Sequence, residues 1–227
     1  MNETIIAVGN GGYNLASDII AAGLFLNARL LVCDTNDKDL EKNSANATET
    51  FILEKLRRNA KSGDAPLVED IVAKTSDTVI ICATLGGMTG SKYAPLIALE
   101  AILEGKFVCS FFSMPYDFEG EQKTKLAMNA RMQLIASSNF TVQQNNVRLK
   151  EVESLGLNDI DKPLVETLKS AMKDRSLVEL ANDLKNDALQ GYIPEEYRVN
   201  ELPLIWLRSD TYRGITDEDR KEIFNLY

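Results

Sequence analysis

The feature that most restricts this chain is a rhythm over its first 145 residues. Short, almost uninterrupted apolar runs rich in β-branched side chains alternate with longer stretches of helical spacing. TIIAVG (4–9), ARLLVCD (28–34), DTVIICAT (77–84), KFVCSFFS (106–113) and NFTVQQ (139–144) read as strands. Residues 13–25, 49–60, 67–74, 91–105 and 121–138 read as helices between them. A strand with no polar face must be buried on both sides, which calls for a parallel sheet covered by helices on both faces. The expected fold is α/β: a doubly wound, Rossmann-like parallel sheet with right-handed crossovers. Residues 1–150 form the expected sheet domain, and residues 151–190 a helical extension packed on it, broken near Asp174. Residues 191–227 form a tail with Pro194, Pro203, Trp206 and no run of alternating strands, which wraps the domain or docks a partner.

Composition removes whole classes of chemistry. The 227 residues include no histidine, so a Ser-His-Asp triad, a histidine base and a histidine-ligated metal are excluded. Cys33, Cys82 and Cys109 form no CxxC pair and sit in apolar runs, as buried structural thiols do. Net charge is −9, divided between −2 for residues 1–150 (17 acidic, 15 basic) and −7 for residues 151–227 (17 acidic, 10 basic). An acidic body without a basic stripe argues against nucleic-acid binding. The start, MNETIIAVGNGG, lacks a signal-peptide pattern, and no apolar run approaches the ~18 residues of a membrane span, so a cytoplasmic protein is expected.

Two glycine-rich turns carry the chemistry. Gly9-Asn10-Gly11-Gly12-Tyr13-Asn14 follows the first strand and opens a helix. Leu85-Gly86-Gly87-Met88-Thr89-Gly90-Ser91 follows the strongest strand and opens another. Glycine lets a backbone approach a ligand closely, and a helix start offers unpaired N–H groups and partial positive charge, a setting for phosphate. In a doubly wound sheet, two such turns at the carboxyl ends of strands can converge on one di- or triphosphate. The bland alternative is two tight turns with no ligand.

The second turn also carries a resemblance. GGMTGS (86–91), followed by Ala94-Pro95, resembles the GGGTGTG and GGGTGSG signature of the tubulin and FtsZ superfamily. Five further segments resemble that family in the same order: VGNGGYNLA (8–16), VCDTNDKDL (32–40), SGDAP (62–66), MPYDFEGEQK (114–123) and VQQNNVRL (142–149). The resemblance implies a guanine nucleotide, GTP or GDP, accompanied by Mg²⁺. It places Gly9, Asn10, Gly11, Gly12 and Asn14 at the first phosphate turn, and Gly86, Gly87, Met88, Thr89, Gly90 and Ser91 at the second. Glu119 would accept from the ribose, Lys123 would stand in for the FtsZ arginine that reaches the nucleotide, and Asn145 would read the guanine edge.

The departures are as informative. Met88 replaces a signature glycine, which a side chain tolerates only at negative φ and pointing away from the phosphates. Lys92 replaces another, as a solvated lysine or an added phosphate cation. Asp34 is either a ribose partner or a loop acid engaging Asn36. FtsZ and tubulin continue through a long core helix to a second domain, and FtsZ carries an NxDxxD-type loop that activates water in the next subunit; neither is found in this sequence. Asn158-Asp159-Ile160-Asp161 and Asn182-Asp183-Leu184-Lys185-Asn186-Asp187 read as helix surface, and residues 160–175 hold no aromatic to stack on a base.

The leading expectation is a divergent, truncated FtsZ/tubulin-like nucleotide-binding protein with weak or no intrinsic GTP hydrolysis. A homo-oligomer or a protein partner is its expected company. One alternative is a dinucleotide-dependent oxidoreductase, using Gly9-x-Gly11 and Asp34 as part of a Rossmann fingerprint. The other is a nucleotide-free interaction module. Its cue is the apolar knot at Leu202, Leu204, Ile205, Trp206 and Leu207, which packs on the chain's own core or docks a partner.

Overall fold

The computed structural model describes residues 3–53, 66–145, 161–173, 175–189 and 204–207. Seven strands form one sheet: β1 (Glu3–Val8), β2 (Arg29–Asp34), β3 (Glu49–Ile52), β4 (Thr78–Thr84), β5 (Phe107–Met114), β6 (Phe140–Asn145) and β7 (Leu204–Leu207). Their spatial order is β3-β2-β1-β4-β5-β6-β7. The first six run parallel, and β7 lies antiparallel against β6. The helices are α1 (Gly9–Ala21), α2 (Asp37–Lys42), α3 (Pro66–Ala73), α4 (Met88–Leu103), α5 (Glu121–Ala136), α6 (Lys162–Met172) and α7 (Leu177–Leu189).

Alternate residues of each strand feed opposite faces. Ile5, Ala7, Val32, Ile80, Cys82 and Phe111 pack with Leu15, Ile19, Leu164, Leu168 and Leu180, so α1, α6 and α7 cover one face. Ile6, Val8, Leu31, Ile81 and Phe112 pack with Ile71, Ala94, Ile97 and Leu134, so α3, α4 and α5 cover the other. Burial on both faces is why these strands read as continuous apolar runs.

Two local readings need correction, and the tail adds an element. Residues 49–60 were expected to be helical, yet Glu49–Ile52 form β3, hydrogen-bonded to β2. Phe51 is buried between outward-facing Thr50 and Ile52, a period of two that a four-residue edge strand shows only weakly. Residues 54–60 of that reading, and residues 62–65 of SGDAP, lie outside the described residues. The tail supplies a strand, β7, whose backbone pairs Leu204–Leu207 with Gln143–Phe140 and covers the free edge of β6. The remaining tail and Asn158–Ile160 lie outside the described residues. Finally, α1 starts at Gly9, four residues before the expected helix, so the glycines form its first turn.

The break after α6 is written in side chains. Lys173 takes a left-handed φ of 41°. The Arg175 guanidinium donates to the Ala171 carbonyl at 2.7 Å, closing α6. Ser176 and Glu179 then form a reciprocal capping box: Ser176 N–H donates to Glu179 Oε2 at 2.8 Å and Glu179 N–H to Ser176 Oγ at 3.2 Å.

Candidate functional site

β1 and β4 are neighbours, and the chain leaves them on opposite faces, into α1 and α4. Their ends are in register, Val8 beside Ala83. This is the topological switch point of a doubly wound sheet, where a crevice opens at the carboxyl ends of the strands.

The two glycine turns meet there. A Cβ built on Gly9, whose φ is +77°, would lie 3.4 Å from Thr89 Cβ and 3.7 Å from the Gly90 nitrogen. Gly11 and Gly12 hold α1 against β4: a Cβ on Gly11 would strike the Thr84 hydroxyl, and one on Gly12 the Cys82 carbonyl oxygen. A Cβ on Gly90 would strike the Thr84 carbonyl oxygen in the same way. These glycines are thus needed for the close approach of two helix starts to one strand. Gly87 is different. It is the N-cap of α4 with φ −82° and ψ 155°, it is exposed, and a Cβ there would meet nothing within 4 Å. The space in front of the α4 N-terminus is open. The first turn of α4 contains no acidic residue, and Gly87 has no side chain to cap its amides, so the N-terminal partial positive charge faces that space.

Side chains fix the rim. Gly86 (φ +95°) donates its N–H to Ser91 Oγ at 2.8 Å, and Pro115 covers it, 3.2 Å from where a Cβ would lie. Thr89 Oγ1 is 2.7 Å from Thr35 Oγ1 and 3.5 Å from Asp34 Oδ1, which ties the end of β2 to the second turn. Met88 has negative φ and is 60% exposed, so its side chain projects into solvent. Asn10 accepts from Asn43 Nδ2 at 3.1 Å. Lys92 is half-buried, and Asn14 is exposed on α1. Asn145 ends β6, its backbone in register with Met114.

Asp34 is 4% exposed and accepts the Asn36 N–H at 3.1 Å. Burial raises its carboxyl above the ordinary value, against backbone hydrogen bonds from Asn36 and Thr35 that pull it down. The Asn36 hydrogen bond ties the end of β2 to the start of α2. Glu119 accepts the Tyr116 N–H at 2.9 Å and Lys123 Nζ at 2.9 Å. Burial works to raise its carboxyl, but these two hydrogen bonds outweigh it and hold Glu119 below the usual range. Lys123 also lies beside the second turn, its Cβ 3.6 Å from where a Gly86 Cβ would be.

Sequence reasoning missed three contributors. Thr84 is the floor under Gly11 and Gly90, and its position at the end of β4, one residue before the turn, was the available signal. Thr35 and Asn43 brace the turns, and no spacing rule marks them. Asp161, expected on a helix surface, instead sits half-buried just before α6, where burial and then Asp18 of α1 raise its carboxyl to about 6.

Helix-start amides on two sides, an open front at Gly87 and hydroxyls at Thr89 and Ser91 fit a phosphate chain. Among the described residues, no group of three or more Cys, Asp or Glu could cage a metal by itself.

The family model for the tubulin/FtsZ family, GTPase domain, matches residues 3–154. The cell division protein FtsZ of Mycoplasmopsis pulmonis is 32% identical over 162 residues, covering 66% of this chain and 40% of its own length. That of Aquifex aeolicus is 29% identical over 182 residues, covering 74% of this chain and 49% of its own. The chain thus spans less than half of those relatives. Among solved structures, FtsZ of M. jannaschii superposes with a TM-score of 0.59 at 22% identity, over 76% of this chain and 53% of that one. CetZ of Methanosaeta thermophila gives 0.63 at 16% identity, over 81% and 58%; at such identities the match speaks for the fold alone. With a family model matched across well over half of its residues, the chain belongs to the tubulin/FtsZ family.

Proposed function

We propose that this chain binds a guanine nucleotide, GTP or GDP, in the crevice between the starts of α1 and α4. The observation that carries the reading is the approach of Gly9 to Thr89 and Gly90, which gives one ligand access to both helix starts. In this reading Gly9–Gly12 and Gly86–Ser91 hold the phosphates through main-chain N–H groups, with the Thr89 and Ser91 hydroxyls beside them. Glu119 accepts from the ribose, Lys123 adds a cation nearby, and Asn145 reads the guanine edge. Mg²⁺ offsets the remaining phosphate charge, held chiefly by phosphate oxygens.

The dinucleotide reading would put a ribose on Asp34 at the end of β2, where one carboxylate oxygen already accepts from Asn36 N–H, and it leaves the second glycine turn without a role.

Hydrolysis is slow or absent in the chain by itself. Phosphoryl transfer to water needs a group that orients the water, and the sequence contains no NxDxxD motif to supply it. The chain's protein company is a second copy of itself or another protein. No described helix is long and apolar enough to cross a membrane, and the acidic surface offers nucleic acid no basic footprint. Calorimetric titration with GTP, GDP, ATP and NAD, with and without Mg²⁺, tests the reading. Guanine nucleotides should bind at least tenfold more tightly than ATP, and NAD not at all. Preferential NAD binding would overturn it, and turnover at the rate of a filament-forming relative would overturn the hydrolysis claim.

A further inference from the structure

The two helix starts rest on the end of β4 through three glycines, and the three contacts are not alike. A Cβ on Gly12 of α1 would meet the Cys82 carbonyl oxygen, and one on Gly90 of α4 the Thr84 carbonyl oxygen. Both are main-chain atoms, present whatever the side chains of β4. The third contact is with a side chain. The room that a Gly11 Cβ would need is filled by Thr84: its Oγ1 and Cβ stand there, the Cβ 2.6 Å away, with Cγ2 at 3.5 Å. Thr84 therefore touches the first turn through its side chain and the second through its backbone.

That side chain is held from behind. Thr84 pairs in register with Ser113 of β5. Ser113 is buried, and its hydroxyl donates to Thr84 Oγ1 at 3.3 Å. A β-branched side chain has few χ1 choices, so this one bond is enough to select the rotamer set against Gly11. The Ser113 carbonyl also accepts the N–H of Leu85, the first residue of the second turn, at 2.9 Å. One residue of β5 thus fixes both the Thr84 side chain and the chain leading into the second turn. Altering the side chain at position 84 frees or displaces the first turn, while Gly90 keeps its seat on the Thr84 carbonyl. The gap between the two turns is therefore set by one side chain.

We infer that Thr84 is a positioning residue that holds the first phosphate turn at its working distance from the second, acting through Gly11 rather than on the ligand. This inference rests on the nucleotide reading above. A phosphate chain that spans two helix starts binds best when the gap is set beforehand, because a turn that must be ordered on binding lowers the affinity. The Ser113–Thr84 hydrogen bond supplies that order in the free protein.

The test pairs calorimetric titration of GTP, with Mg²⁺, into the full chain with hydrogen exchange of the GTP-saturated protein. Thr84→Ala opens the space under Gly11 and should weaken GTP about tenfold, the range for re-ordering one backbone residue on binding. Thr84→Val keeps the volume but loses the hydroxyl that Ser113 holds, and should weaken GTP several-fold. Thr84→Ser keeps that hydroxyl and should restore most of the affinity. Saturated Thr84→Ala should protect residues 85–92 as the wild type does and residues 8–16 less. Ser113→Ala should behave in the same direction in both measurements, and it carries the comparison if Thr84→Ala does not fold. Unchanged affinity in Thr84→Ala or, where that variant does not fold, in Ser113→Ala would overturn the inference and leave the nucleotide reading standing. Thr84→Val that binds like the wild type, with Thr84→Ser as weak as Thr84→Ala, would overturn it too, because bulk alone would then matter. Equal loss of protection in both segments would do the same, because Thr84 would then support the fold rather than the gap. A wild type that binds no GTP would remove the nucleotide reading and this inference with it.

Discussion

Gly87→Asp separates the fold from the site, because the two should respond with opposite signs. Gly87 has φ −82° and ψ 155°, which any residue adopts, and a Cβ there meets nothing within 4 Å. Aspartate is a preferred N-cap, whereas glycine has no side chain to offer the first-turn amides. Its charge also faces the positive end of α4, worth about 0.3–1 kcal/mol. Removing a glycine from the unfolded chain adds about 0.4–1 kcal/mol. The ligand-free protein should therefore gain about 1 kcal/mol, seen as a rise of roughly 2–4 °C in thermal melting for a chain of this size. The same carboxylate would stand where phosphate must approach. At about 5 Å and an effective dielectric near 20, one unit of phosphate charge against it costs about 3 kcal/mol. GTP affinity should fall more than a hundredfold. Melting curves and calorimetric titration of one preparation give both readouts. A stabilised or unchanged protein that binds GTP within threefold of the wild type would refute the claim that phosphate sits before α4.

Gly90→Ala should lose stability and binding together. Its Cβ would strike the Thr84 carbonyl oxygen, forcing α4 off β4 at a net cost of about 2 kcal/mol, readable as a lower urea midpoint together with lost nucleotide binding. Asp161→Asn tests the buried carboxyl before α6. Folding raises that group from 3.8 to about 6, so the native state holds the proton more tightly, and wild-type stability falls as pH rises from about 4 through 6. Discounted for partial exposure, the variant should gain about 1–2 kcal/mol at pH 7.5 and nothing at pH 4 in denaturant titrations. Ser176→Ala removes one half of the α7 capping box and should cost about 1 kcal/mol in the same assay.

The legible parts of the fold were those where local pattern and tertiary environment agree. Ile5, Ile6, Ile80 and Ile81 are fully buried because both faces of the central strands are covered, and that leaves unbroken apolar runs in the sequence. β3 was hidden because four residues at a sheet edge carry too few periods, and Glu49 there is held by contacts to Arg29 and Lys74 from distant segments. β7 was hidden because its pairing with β6 joins residues more than 60 positions apart. α2 is a six-residue helix started by the Asn36 side chain, which accepts from Lys38 N–H, a cap easily read as a loop. At the site, the glycines were visible as residue types, but their division of labour was not. Gly11, Gly12 and Gly90 serve helix packing while Gly87 faces open space, a distinction made by the backbone of β4 behind them. Asp34 looked available by position. Its burial and its bond to Asn36 follow from α2, which the sequence reading did not contain.

The account's central claim is that the turns after β1 and β4 grip one ligand together. Hydrogen exchange followed by mass spectrometry, with and without GTP and Mg²⁺, addresses it without any substitution. Peptides spanning residues 8–16 and 85–92 should gain protection together, at the same nucleotide concentration. Protection confined to one of them, or to neither at concentrations where GTP is bound, would contradict it.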